Sequence, residues 1–343
     1  MLAEINVLSF TFESVWIAVI ILLAGFAVLI KGADFLVDGA SSAAKKFGVS
    51  DLAIGLTVVA FGTSLPELIV SFLSALDGKN DASFGNVIGS NNFNILFILG
   101  VSGLVYPLTV QRNTVKYEIP IALFTAVLLF LVINDTMLWG TPEVVEDGVK
   151  YGGSLSTLDS IILLAGFLGF LYYIYNTMRN TNGNAADSNV KIYSTGVALT
   201  MIGAGLAMLI FGGKIVVDSA LGIAHYYSLS EKLIGLTILA AGTSLPELAT
   251  SAVAAYRKNT DIAIGNVVGS NIFNILFILG LTGLIHPISY NTSMNFDMHV
   301  MLASTILLIL FMFTFKQHKL DRREATLFLV LYLAYTIYLI VQG

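Results

Sequence analysis

The sequence predicts an all-α polytopic membrane protein whose ten transmembrane helices form two inverted five-helix repeats. The chain of 343 residues is 56% hydrophobic and 11% charged, with a mean hydropathy of +0.85, whereas a soluble domain carries about 25% charged residues. Apolar stretches long enough to cross a bilayer recur along the whole chain. Two polar motifs inside these stretches are written twice, once in each half.

The chain divides at a polar segment into two halves with five apolar stretches each. We expect a first repeat over residues 1–178, a cytoplasmic linker over 179–192 and a second repeat over 193–343. The expected spans are residues 14–42, 50–76, 80–105, 117–134 and 157–177, then 193–223, 230–256, 260–285, 297–315 and 322–341. The first fourteen residues lack the basic start of a cleaved signal peptide. The absence of cysteine excludes disulfides and thiol chemistry.

The doubled motifs stand at one constant offset of 180 residues. Residues 55–67 read GLTVVAFGTSLPE and residues 235–247 read GLTILAAGTSLPE. The second motif is GNVIGSNNFNILFILG at 85–100 and GNVVGSNIFNILFILG at 265–280. The motif segments 55–100 and 235–280 therefore descend from one ancestral unit.

Lysine and arginine residues collect on one side of this predicted topology. One set of alternate loops holds twelve of them: Lys45, Lys46, Arg112, Lys116, Arg179, Lys191, Arg257, Lys258, Lys316, Lys319, Arg322 and Arg323. The other set holds three: Lys79, Lys150 and Lys232. Because cytoplasmic loops are enriched in Lys and Arg, the first set is expected in the cytoplasm and both termini outside. Because five is an odd number of spans, the second repeat enters the membrane from the opposite side. The two halves are then inverted repeats, as in many secondary transporters.

Each first motif places a Pro-Glu dipeptide near the middle of an apolar span, as Glu67 and Glu247. A carboxylate at that depth is costly, so it indicates a functional site. The preceding proline has no N–H to donate and clashes with the carbonyl four residues back, which breaks the helix. The expected helix-break residues are Pro66, Pro246, Gly62 and Gly242. The freed carbonyls are tolerated at membrane depth only where they line a cavity.

Helical spacing places Thr63 on the face of Glu67, with Ser64 beside it. In the following span a polar stripe steps by four residues, as Asn86, Ser90 and Asn94 in the first copy and Asn266, Ser270 and Asn274 in the second. All are oxygen ligands, and two carboxylates match one Ca²⁺ better than Mg²⁺, while the neutral oxygens suit Na⁺. For Asn86, Asn91, Asn266 and Asn271, packing or capping explains the residue as well as ligation does.

The doubled pattern GTSLPE followed by GNxxGSNxxN resembles the paired α-repeats of the sodium/calcium exchanger family, of prokaryotic type, within the cation/calcium antiporter superfamily. The segment GADFLVDGA at 32–40 is also similar to the first span of that family. The resemblance implies that Glu67 and Glu247 bind Ca²⁺ and, alternately, Na⁺. It further implies flanking Na⁺ sites made by Thr63, Ser64, Ser90, Thr243, Ser244 and Ser270 with the carbonyls of Ala60 and Ala240.

Two asparagines occupy the last polar position of the stripes, Asn94 and Asn274. Several relatives of this family carry Asp in the second repeat, so the pair of asparagines argues against K⁺ co-transport and against protonation of a third acid. The proton-coupled branch of the superfamily has an acidic residue where this chain has GSN. We therefore expect coupling to Na⁺, with a Ca²⁺/H⁺ antiporter as the alternative.

The first and sixth spans carry small residues every seven positions: Gly25, Gly32 and Gly39, matched by Gly205, Gly212 and Ser219. Such a stripe allows close packing and equally allows one helix to slide on another. The resemblance implies that these two helices shift against the other eight to alternate access.

Together these features predict a secondary antiporter that exchanges Na⁺ for Ca²⁺ by alternating access at a midplane site built on Glu67 and Glu247. It is expected to be no enzyme, to need no cofactor, ATP or nucleic acid, and to work as a monomer in the cell membrane. A cation channel fits less well, because two carboxylates in one chain make a poor pore ring. An intramembrane aspartyl protease would use Asp rather than Glu, and no phosphate-binding P-loop is present.

Overall fold

The computed structural model describes residues 15–140, 144–146, 149–180, 191–227, 240–314 and 317–342. The helices of the first half are α1 (Val15–Phe47), α2 (Asp51–Thr63), α3 (Leu65–Leu76), α4 (Asn80–Val105), α5 (Thr114–Ile133), α6 (Asp135–Trp139) and α7 (Thr157–Asn180). Those of the second half are α8 (Thr195–Tyr226), α9 (Ala240–Gly242), α10 (Leu245–Tyr256), α11 (Thr260–Ile285), α12 (Asn295–Phe311) and α13 (Arg322–Gln342).

Within these ranges, eight helices are long and apolar enough to cross a membrane, and the bent pair α2–α3 brings the number to nine. The predicted seventh span, 230–256, is described only from residue 240 onward, as α9 and α10, and its beginning lies outside the described residues. The polytopic helical architecture is confirmed. The count of ten spans stays a prediction.

The two long helices α1 and α8, of 33 and 32 residues, pack against each other in opposite directions. A Cβ atom on Gly32 would lie 3.0 Å from the Gly205 carbonyl oxygen, and one on Gly39 would lie 2.9 Å from the Ala198 carbonyl oxygen. The small residues thus bring the two backbones into direct contact. Since α1 and α8 occupy equivalent places in the two repeats, their antiparallel course is the one that inverted copies require.

Helices α4 and α11, which hold the polar stripes, form the centre of the bundle. In these two spans 78% and 94% of the most apolar window is buried, against 17% to 39% in the other long spans. Both change from α-helical to π-helical hydrogen bonding around the last residue of the stripe, in the segments Phe93–Ile98 and Asn274–Leu279. Single π-turns inside α-helices are common at functional sites.

Helix α11 lies close to α2 because two glycines of its motif face the α2 backbone. A Cβ on Gly265 would lie 2.9 Å from the Leu52 carbonyl oxygen, and one on Gly269 would lie 2.8 Å from the Leu56 carbonyl oxygen. A larger residue at either position would push the helices apart. The glycines of GNVVGSN therefore set the distance between one broken helix and the polar stripe of the other repeat.

Short strands tie the ends of the helices together. Strand β1 (Leu108–Thr109) pairs antiparallel with β5 (Lys319–Leu320), and a second sheet has the order β2 (Val144–Glu146), β3 (Val149–Leu155) and β4 (Ile288–Asn291). The predicted spans 117–134 and 157–177 leave the segment between them as a connection, and the sequence did not predict this sheet. The Asp-Gly dipeptide at 147–148 is a hairpin signal, but β4 comes from the other half of the chain, which no local pattern indicates.

Candidate ion-binding site

The break between α2 and α3 bends the helix axis by 46°. Ser64 stands at the break with φ −82° and ψ 7°, and Pro66 lies in the first turn of α3. In the second repeat Ser244 has φ −90° and ψ 9° before α10, whose first turn contains Pro246. Pro at the start of a helix loses no hydrogen bond, since the first N–H groups of a helix are unpaired in any case. Both repeats therefore start a new helix immediately before their glutamate.

Helix α8 packs against both breaks, where each repeat has a glycine. A Cβ on Gly62 would lie 2.5 Å from Leu206 Cδ2, and one on Gly242 would lie 2.7 Å from Val217 Cγ2. The predicted helix-break glycines thus admit a neighbouring helix, in addition to easing the break. Ala60 and Ala240 lie one turn ahead of the breaks, and the Ala60 carbonyl accepts a hydrogen bond from Ser64 N at 3.0 Å.

Each glutamate is bound by the serine at the break of the other repeat. Ser244 Oγ donates to Glu67 Oε1 at 2.8 Å, and Ser64 Oγ donates to Glu247 Oε1 at 2.9 Å. The Ser244 and Ser90 hydroxyl oxygens lie 3.1 Å apart. Glu67 and Glu247 are 1% and 0% exposed. The two broken helices therefore cross and bring both carboxylates into one buried polar centre.

Asn86 holds the first broken helix in place from the neighbouring stripe. Its Nδ2 donates to the Glu67 carbonyl oxygen at 3.1 Å and to Ser71 Oγ at 2.9 Å. Its Oδ1 accepts from Thr243 Oγ1 at 3.2 Å. Asn266 makes the equivalent bonds to the Glu247 carbonyl oxygen at 3.3 Å, to Ser251 Oγ at 2.9 Å and from Thr63 Oγ1 at 3.0 Å. These two asparagines brace the helix breaks, the structural role that the sequence had left open.

The last residues of the polar stripes meet between α4 and α11. Asn94 Nδ2 donates to Asn271 Oδ1 at 2.9 Å, and Asn274 Nδ2 donates to Asn91 Oδ1 at 3.0 Å. All four side chains are buried. The sequence left packing, capping and ligation open for Asn91 and Asn271, and in the structure both side chains hydrogen-bond to the other repeat.

Several buried oxygens of the two motifs accept no hydrogen bond from any described residue: Glu67 Oε2, Glu247 Oε2, Asn94 Oδ1, Asn274 Oδ1 and Ser270 Oγ. Buried charges persist in proteins when they are paired or bind a metal. Across the part of the chain that the structure describes, no group of three or more His, Asp or Glu side chains gathers. A cation here would therefore use the two glutamates and complete its shell with neutral oxygens. That donor set fits Ca²⁺ and Na⁺ better than a transition metal.

Comparison with known proteins is consistent with this chemistry. The family model described as sodium/calcium exchanger protein matches residues 17–176 and 197–341. The sodium/calcium exchanger MaX1 of Methanosarcina acetivorans is 35% identical over 348 aligned residues including gaps. The alignment covers 93% of this chain and 97% of that protein. The inner membrane protein YrbG of Escherichia coli is 37% identical over 279 residues, covering 79% and 81%. A structure of the sodium-calcium exchanger NCX_Mj matches with a TM-score of 0.77 at 32% identity, over 94% of this chain and 98% of that one.

Proposed function

The chain belongs to the sodium/calcium exchanger family of membrane cation antiporters, and from that premise we propose that it exchanges Na⁺ for Ca²⁺ at the site of Glu67 and Glu247. One observation carries the proposal. Two repeat-related carboxylates lie buried in one polar centre, and each keeps one oxygen that no described residue binds. An ion with two positive charges balances this centre.

Ca²⁺ takes six to eight oxygen ligands, so the carboxylates need neutral partners. The Oδ1 atoms of Asn94 and Asn274, which are buried at the ends of the polar stripes and accept from no described donor, supply two. The hydroxyl groups of Ser90 and Ser270 add oxygen from the same stripes. Ca²⁺ bound in this shell would take equivalent ligands from both repeats.

Na⁺ carries half the charge and accepts a shell of mostly neutral oxygens. The hydroxyl groups of Thr63, Ser64, Thr243 and Ser244 flank the glutamates, and the carbonyls of Ala60 and Ala240 lie one turn away. We assign the flanking Na⁺ positions to these groups together with the hydroxyl groups of Ser90 and Ser270. Since Na⁺ and Ca²⁺ would share the two glutamates, the ions exclude each other, and exchange follows if only a loaded site lets the protein change its access.

The same proposal includes an arrangement in the membrane. The halves 1–178 and 193–343 are inverted repeats joined by the linker 179–192, and the protein works as a monomer. The side with twelve basic residues against three lies in the cytoplasm, which places both termini outside.

Uptake of radiolabelled Ca²⁺ into Na⁺-loaded proteoliposomes tests the exchange. We expect uptake that requires an outward Na⁺ gradient and that Glu67→Gln abolishes. Glu118→Gln is the matched control, because Glu118 is also a buried glutamate, 1% exposed, but binds Tyr173 OH at 2.6 Å away from the site. It should transport as the unaltered chain does.

Each other outcome contradicts the proposal in its own way. Uptake driven by a proton gradient alone would make the chain a Ca²⁺/H⁺ antiporter. Uptake that is indifferent to both gradients would indicate a cation channel. Equal loss in Glu67→Gln and Glu118→Gln would remove the special role of the central site.

A further inference from the structure

The side chains of Asn91 and Asn271 each bind the backbone carbonyl of the other residue. Asn91 Nδ2 donates to the Asn271 carbonyl oxygen at 3.3 Å, and Asn271 Nδ2 donates to the Asn91 carbonyl oxygen at 3.3 Å. A backbone carbonyl can only accept, so these bonds determine which end of each carboxamide is the nitrogen. The Oδ1 atoms of Asn91 and Asn271 therefore point to their other neighbours, Asn274 and Asn94.

The orientation passes on to those two neighbours. Asn94 Nδ2 donates to Asn271 Oδ1 at 2.9 Å, and Asn274 Nδ2 donates to Asn91 Oδ1 at 3.0 Å. Asn94 and Asn274 thus donate from Nδ2 to Asn271 and Asn91. Their Oδ1 atoms accept from no described donor. The reverse orientation would present NH₂ groups, whose positive end repels a cation.

We propose that Asn91 and Asn271 are positioning residues that set the Ca²⁺ affinity of the site by keeping the oxygens of Asn94 and Asn274 turned toward the ion. A carboxylate offers oxygen in either orientation, whereas a carboxamide does so in one of two. A site with asparagine at both positions therefore needs such a relay. This proposal deepens the exchange proposed above and rests on it.

Ca²⁺ binding to the purified full chain tests the relay in a mutant cycle. Asn271→Ala should weaken binding about tenfold, the lower end of the range for residues that orient metal ligands. In the Asn94→Asp background both terminal atoms of the side chain at position 94 are oxygen, so its orientation no longer matters. Asn271→Ala should then change Ca²⁺ binding by less than about twofold. The matched cycle pairs Asn91→Ala with Asn274→Asp. The crossed pair, Asn271→Ala with Asn274→Asp, should keep the full tenfold loss.

Equal losses in both backgrounds would overturn the relay, because a packing role for Asn271 does not depend on the atom type at Asn94. If Asn271→Ala does not fold, Asn271→Leu removes the same hydrogen bonds while filling the volume and replaces it in the cycle. An unaltered chain that binds no Ca²⁺ would instead overturn the proposed function, so the two failures are distinguishable.

A second, independent observation concerns the charges at the rim of the long helices. Arg257 directly follows α10 and forms ion pairs with Asp34 and Asp38 of α1. Asn259 adds bonds to Ser41 Oγ of α1 at 3.0 Å and to Asp51 Oδ2 at 2.8 Å. These contacts fasten α1 to the end of a broken helix on one face of the bundle.

The offset of 180 residues maps this cluster onto Asp77, Lys214 and Asp218. Both clusters contain one basic and two acidic residues, but the basic residue has changed from the broken-helix end to the long helix. In the described structure Lys214 pairs with Asp218 on α8 at 3.1 Å, and Asp77 pairs with Lys79 at 3.5 Å. The second cluster thus has the charges for an ion pair between the long helix and the broken-helix end, but among the described ion pairs Lys214 and Asp77 do not bind each other.

We infer that the ion pairs of the two clusters form alternately: when Arg257 separates from Asp34 and Asp38, Lys214 binds Asp77 on the opposite face of the bundle. Inverted repeats supply the reason, since moving the α1–α8 pair away from one broken helix brings it to the other. The ion pairs would give each end state a matched contact. Alternation itself rests on the proposed exchange.

Cysteine pairs and a short, reducible bis-thiosulfonate reagent test this in the chain, which has no native cysteine. The pair Asp34→Cys with Arg257→Cys should cross-link in the state described here, and Asp77→Cys with Lys214→Cys should cross-link only in ion conditions that reduce the first reaction. Each cross-link should lower exchange at least about tenfold, with recovery after reduction. Single-cysteine variants are the controls.

Cross-linking of the second pair in no ion condition, while the first pair reacts, would overturn the alternation. So would simultaneous, ion-independent reaction of both. As a second measurement, Lys214→Asp should impair exchange and Asp77→Lys with Lys214→Asp should restore it. Loss without restoration would also contradict the inference. An unaltered chain without Na⁺-driven Ca²⁺ uptake would instead contradict the proposed function.

Discussion

The two repeats agree at the centre of the molecule and differ at its rim. At the centre, Ser64 binds Glu247 and Ser244 binds Glu67 at nearly the same distance, 2.9 and 2.8 Å. At the rim, Arg257 bridges to α1, whereas Lys214 stays on its own helix. Both copies of the motif contribute side chains to one buried polar centre, so their chemistry must match. In the proposed inverted topology the two rims would face opposite sides of the membrane, so a state with access to one side would close only the other.

The largest expected effect would come from breaking the symmetry of the centre. Glu67→Gln and Glu247→Gln should each lower Ca²⁺ affinity about 100-fold or more, since each removes one of two anionic ligands, and 1.4 kcal/mol corresponds to a factor of ten. Equilibrium Ca²⁺ binding to the purified protein measures this. Losses that differ by more than about tenfold would show that the two repeats do not contribute equally.

A smaller effect is expected from the serines that bind these carboxylates. A hydrogen bond to a charged group contributes about 1.5–3 kcal/mol, so Ser64→Ala and Ser244→Ala should each weaken Ca²⁺ binding by at least about tenfold, the lower end of that range. Because Ser64 binds Glu247, its effect should depend on Glu247→Gln and be independent of Glu67→Gln. The double-mutant cycle measures that coupling. Coupling of Ser64 to Glu67 alone would contradict the crossed arrangement.

The smallest effect concerns stability at the contact of the long helices. A Cβ on Gly205 would lie 2.7 Å from Leu36 N, so Gly205→Ala should destabilise the fold by about 1–3 kcal/mol and lower the Tm in detergent. Gly203→Ala is the matched control two residues away, where the new methyl group meets no atom within 4 Å. It should leave the Tm unchanged or raise it, because Ala is the better helix former. Equal decreases would mean that the close approach of α1 and α8 contributes little.

Much of the site was predictable because it is local and repeated. Pro66 and Pro246 lack the N–H that an unbroken helix needs at these positions, and the step of four residues places Asn86, Ser90 and Asn94 on one face. The pairing of β3 with β4 was not predictable, since it joins residues 133 or more positions apart that come from different halves of the chain. The partners of Asn91 and Asn271 were not predictable for the same reason, because each of them binds a residue of the other repeat.

The sequence by itself determined the class of protein, the duplication and the kinds of ligand atom, because hydropathy, offset and residue type are properties of the chain alone. The tertiary structure decided which serine binds which glutamate, which way each asparagine turns its oxygen and which rim is clamped. A duplicated sequence permits each of these choices in two equivalent ways. Only contacts between the repeats make one of them lower in free energy.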